Sequence, residues 1–143
     1  MVGRHTLQIH TLISLILAVL VCGLAMWRGD QPARWNGATL LASWVASLLV
    51  HNRDPYNSDY ALLAIDIATL VIFAWISMRS RRLWTILATA FLAIIVASHI
   101  AVMIDFRVTF NTLKAGMAIW SYGILACIAF GTWAAVRRDR AVS

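Results

Sequence analysis

Two ionisable side chains lie in the most apolar part of the chain. Asp66 falls within the apolar run 61–78 and His99 within the run 83–104, and a short turn, Arg79-Ser80-Arg81-Arg82, joins the two runs. A carboxylate and an imidazole in segments of lipid-spanning length are costly to desolvate, so each should face other helices or a water-filled cavity. Paired, they relieve each other: an ionised Asp66 beside a protonated His99 leaves neither charge alone in hydrocarbon. Such a pair either holds a helical hairpin, at ~1 kcal/mol or less, or takes part in a proton or cation step. Counted from the outer ends of their runs, the groups lie ~9 and ~8 Å deep; counted from the turn, they differ by ~6 Å. Tilt or side-chain reach must close that gap. Thr69, Phe73 and Ser77 continue the Asp66 face. That stripe lines a path, or its hydroxyls bond back to their own helix.

Three histidines share a level. His10 is 17 residues from Trp27, His51 is 16 from Trp35, and His99 is 17 from Arg82. At helical rise each lies ~24–26 Å from those markers. If the imidazoles converge, they form a metal, haem or proton-relay site, because neutral imidazole is a common ligand and titrates near neutral pH. If they point apart, they are ordinary interfacial histidines. No HxxxH, HExxH or Cys/His cluster specifies a metal, and no Ser/His/Asp arrangement, phosphate loop or carboxylate pair specifies catalysis. Neither a cofactor nor enzymatic activity is expected.

The elements that position these residues are helices. Of 143 residues, 62% are apolar, glutamate is absent, and mean hydropathy is +0.79. A soluble domain of this length is not so apolar. The reading is an all-α transmembrane bundle forming a single domain over 1–143, with five spans at about 7–27, 35–51, 60–78, 83–104 and 112–136. The first run is too long for a signal-peptide core and lacks an A-x-A site. The second is the weakest, at ~24 Å, and is diluted by Asn36, Gly37, Ser43 and Ser47; Ala42 and Ala46 suggest burial among helices. Ser14, Ala18 and Cys22 form one small-residue face. Gly116, Gly123, Cys127 and Gly131 form another, the last three spaced by four as in close helix packing. Cys22 and Cys127 read as buried small apolar residues rather than a disulfide.

Basic residues set the orientation. With five spans, Arg28, Arg34, Arg79, Arg81, Arg82, Arg137, Arg138 and Arg140 share one side, against Arg4, Arg53, Arg107 and Lys114 on the other. The richer side is cytoplasmic, which places the N-terminus outside and the C-terminus inside. Trp27, Trp35, Trp75, Trp84 and Trp133 fall near the cytoplasmic ends as an interfacial belt. The net charge of +6 therefore reflects topology rather than nucleic-acid binding. Arg79, Arg81, Arg82, Arg137, Arg138 and Arg140 are candidate contacts for anionic lipid headgroups.

The segment 79–104 with its arginines, Trp84 and His99, then Asp105, Trp120-Ser121-Tyr122 and Gly131-Thr132-Trp133, resembles small uncharacterised inner-membrane proteins of alphaproteobacteria. The resemblance implies a multi-pass protein of a bacterial inner membrane and transfers no functional residue. Three roles follow as expectations. The foremost is a structural or accessory component, packed with other membrane subunits or as a homo-oligomer through its small-residue faces. The others are a small proton- or cation-coupled transporter using Asp66 and His99, and a haem or metal protein using His10, His51 and His99.

Overall fold

The computed structural model describes the backbone of residues 2–53, 58–104 and 110–142, and the side chains of 12–50, 60–104, 116 and 118–141. Five helices follow one another: α1 (Val2–Arg28), α2 (Gln31–Arg53), α3 (Ser58–Ser80), α4 (Leu83–Ile104) and α5 (Phe110–Val142). Each helix packs on its neighbours in the chain, α1 closes on α5, and α2 reaches α5 across the middle. The result is a closed ring of helices.

The turns show why the helices stop where they do. At the α1–α2 turn, a Cβ on Gly29 would fall 2.3 Å from the Ala25 carbonyl oxygen and 2.8 Å from the Ala33 Cβ, so only glycine fits. Asp30 follows as the N-cap of α2: its Oδ1 accepts the Ala33 amide at 3.3 Å, and its carbonyl accepts the Arg34 amide at 2.9 Å. Pro32, which has no amide hydrogen to give, costs nothing in that first turn. The α3–α4 turn is closed by Arg81 in the left-handed region, at φ 52°, with its amide on the Ser77 carbonyl at 3.0 Å. This is the usual way for a helix to end, here without the glycine that favours it.

The outside of the bundle is apolar, and its interior mixes large apolar side chains, Phe73, Ile124 and Ile128 among them, with small and polar ones. Leu12, Leu20, Val71, Met78, Leu83 and Ile119 are exposed, while Asn36, Thr69, Ser77, Thr85 and Thr132 are buried with Ala18, Cys22, Ala25 and Ala88. So many exposed large apolar side chains are compatible with a membrane surround. Among the described residues, three helical segments, Tyr60–Ser80, Leu83–Ile104 and Ala118–Ala141, are long and apolar enough to cross a membrane. Leu12–Arg28 is a shorter apolar segment.

The small-residue faces work within the chain. A Cβ on Gly37 would meet the Cys22 carbonyl oxygen at 3.2 Å and the Ala25 Cβ at 3.3 Å, so α1 and α2 touch almost backbone to backbone. On α5, Gly123 receives the Phe91 ring and Gly131 the Trp84 indole, while Gly116 has nothing within 4 Å of a Cβ. Two expectations are corrected. Trp84 is only 6% exposed and belongs to the core, because Gly131 opens a slot for it. Ala42 is exposed, and the buried face of α2 is Ala33, Asn36, Gly37 and Leu40. Trp27, Trp35, Trp75 and Trp133 do face outward, three of them beneath the guanidinium of a neighbouring arginine: Arg28, Arg79 and Arg137, at 5.1, 5.4 and 4.5 Å from the ring centres.

Candidate functional site

Asp66 and His99 meet. His99 Nδ1 lies 2.8 Å from Asp66 Oδ2, with the side chains 26% and 21% exposed. The approach is off the line of a ring N–H hydrogen bond. Helix α3 runs on to Ser80, two residues past the apolar run. Counted from the helix ends at Ser80 and Leu83, the depths become ~21 and ~24 Å, close enough for side chains to bridge.

The pair lines a cavity of about 370 Å³ between α2, α3, α4 and α5. Its other polar groups are the hydroxyls of Ser43, Ser47 and Ser121, and its remaining wall is leucine and isoleucine with the Trp44 indole. Ser43 gives its hydroxyl hydrogen to the Leu40 carbonyl at 2.8 Å. Below the cavity, the stripe anticipated from Asp66 turns inward: Thr69, Phe73 and Ser77 are all buried, and Thr69 bonds back to the Ile65 carbonyl at 2.8 Å. The fully buried Phe73 ring interrupts that line of hydroxyls. His10 and His51 lie outside the described side chains, so the three-imidazole site does too. Among the described residues, no three His, Cys, Asp or Glu side chains gather to hold a metal.

A second charged cluster lies at the other end, and nothing in local spacing announces it. Asp30 Oδ2 accepts Arg82 Nη1 and, at 3.0 Å, Arg138 Nη2. One carboxylate thus ties the α1–α2 turn, the α3–α4 turn and the end of α5 together. Burial first, and the charge of Arg138 second, pull the Arg82 guanidinium down from its ordinary range. Arg34 caps the same end of α1 through Nε on the Met26 carbonyl at 2.8 Å. Of the six arginines considered for lipid headgroups, Arg82 and Arg138 therefore hold Asp30, Arg79 and Arg137 lie over Trp75 and Trp133, and Arg81 makes the turn. Arg140 also has an interaction within the chain. Asn36 is fully buried with neither amide atom bonded, and the Trp84 indole N–H is buried without an acceptor.

No protein-family model, curated protein or solved structure matches the chain. Geometry alone therefore defines its class: among the described residues, a helical bundle with three helices long and apolar enough to cross a membrane, carrying an acid–imidazole pair on a partly open cavity between helices.

Proposed function

We propose that the chain is a five-span protein of a bacterial inner membrane, N-terminus outside and C-terminus inside, that carries a proton or a small cation at Asp66 and His99. The observation carrying this reading is the pair's position on a cavity lined by four helices. Support for the topology comes from the Asp30 cluster, which gathers both arginine-bearing turns and the arginine-rich tail at one end. Helix α2 is continuous over 23 residues, ~33 Å, but the residues it adds to the apolar run include Gln31, Arg34, Asn52 and Arg53, so its place as a span rests on the arginine distribution.

The second reading is a structural or accessory role: Gly37 meets Cys22, Phe91 meets Gly123 and Trp84 meets Gly131 within the chain, while the Gly116 end of that face has nothing within 4 Å of a Cβ. The test is proton flux into proteoliposomes loaded with a pH-sensitive dye. Asp66→Asn should abolish the flux of the wild-type protein while reconstituting equally well. Flux unchanged by the substitution ends the proposal. A C-terminal green-fluorescent fusion should fluoresce in cells, and a dark fusion matched by an active phosphatase fusion at the same site reverses the orientation.

A further inference from the structure

Building on that reading, we infer that the cavity bearing Asp66 and His99 binds an amphiphilic organic monocation, a quaternary ammonium or pyridinium with a small apolar body. The cavity has the size and character of a small-ligand site: about 370 Å³, largely apolar, with a few polar groups converging in it. That volume suits a molecule on the order of 10–20 heavy atoms. Charge decides its sign. Among the described residues, the ionisable groups lining the cavity are Asp66 from α3 and His99 from α4. Helices α2 and α5 contribute the hydroxyls of Ser43, Ser47 and Ser121, the Trp44 indole and hydrocarbon. When His99 is neutral, Asp66 is a lone carboxylate in a low-dielectric wall, and an entering cation neutralises it. An anion would meet the same carboxylate at close range and be repelled. The apolar walls, Trp44 among them, hold the body of the ligand.

The geometry also sets a competition. His99 Nδ1 stands against the very Asp66 oxygen a cation would approach. A protonated His99 therefore occupies the carboxylate and repels the incoming charge, while release of that proton to water frees the site. Cation binding and proton binding oppose each other at one carboxylate, which is the linkage a proton-coupled carrier needs.

The test is titration calorimetry of the full-length protein in a non-ionic detergent, with benzyltrimethylammonium as probe and phenylacetate as its anionic counterpart. The cation should bind at one per chain, more tightly at pH 8 than at pH 5, and phenylacetate should not bind. Asp66→Asn should weaken the cation by about ten-fold or more, the scale of a lost charge-assisted contact. His99→Gln should bind it equally at both pH values. Ser47→Phe, which leaves both charged groups in place and fills the cavity, should also abolish binding, so the conclusion does not rest on the acidic position alone. No saturable binding by the wild-type protein, or equal binding by Asp66→Asn, overturns the inference. If proton flux still depends on Asp66 in that case, the proposed function stands without this class of ligand; if flux is lost as well, both fall.

Discussion

Replacing Gly131 with alanine should loosen the bundle, and the structure says by how much. The added Cβ would lie 2.5 Å from Trp84 Cε2, 2.7 Å from Cδ2 and 2.8 Å from Cζ2. Carbon atoms settle at about 3.5–4.0 Å, so three indole carbons, two of them at the ring junction, overlap by ~1 Å. The indole cannot swing clear without losing its slot, since it is 6% exposed and packed in the core. Overpacking of this kind costs about 1–3 kcal/mol. Alanine returns about 0.5–1 kcal/mol by restricting the unfolded chain, leaving a net loss of up to about 2.5 kcal/mol. The upper figure corresponds to roughly a 70-fold shift toward the unfolded state. Two other glycines calibrate the result. At Gly123 the Cβ meets Phe91 at 3.1 Å, a tight contact that a small ring movement relieves, and at Gly23 it meets nothing within 4 Å. The expected order of stability is Gly23→Ala, then Gly123→Ala, then Gly131→Ala. Maleimide labelling of the buried Cys22 thiol during a detergent titration, in a Cys127→Ser background that removes the half-buried second thiol, reads it. Trp84→Phe should restore part of the loss in the Gly131→Ala background, because the smaller ring vacates the contested volume. Equal stability for Gly131→Ala and Gly23→Ala would refute the packing argument.

Other perturbations follow from the turns and charges. Asp30→Asn keeps a capping side chain but leaves Arg82 and Arg138 facing each other. It should cost about 1 kcal/mol for these partly exposed groups and less in high salt, as read by the same labelling assay. Asp30→Ala should cost about 1 kcal/mol more, because the cap goes too. Arg81→Gly removes a side chain from a φ of 52° and should stabilise the α3–α4 turn by up to about 1 kcal/mol; a loss of stability would show that the guanidinium contributes more than its backbone costs. Thr132→Val should be nearly neutral for unfolding, since its hydroxyl bonds only back to Ile128 at 2.9 Å within one helix.

Much of this architecture is local in origin. Long apolar runs, Asp30-Gln31-Pro32 after Gly29, and the arginine turn mark where helices must begin and end. The observed elements accordingly track the expected spans, and α4 coincides at Leu83–Ile104. Asp66 and His99 stood out as a pair because each is foreign to its segment, whatever its neighbours. What the sequence left open was rotation. When lipid and core are both apolar, hydrophobic periodicity no longer tells which face turns inward. Trp84 thus reads as one of the interfacial tryptophans until Gly131 receives it, and Ala42 reads as buried until the Ala33–Leu40 face takes that place. Likewise, Asp30 is an ordinary turn residue until folding brings in Arg82 and Arg138 from 52 and 108 residues away. Hydrogen bonding along the backbone and hydrophobic length are properties of a segment, and the sequence carries them. The cavity, the charge clasp and the aromatic slots exist only between segments, so tertiary packing alone decided them.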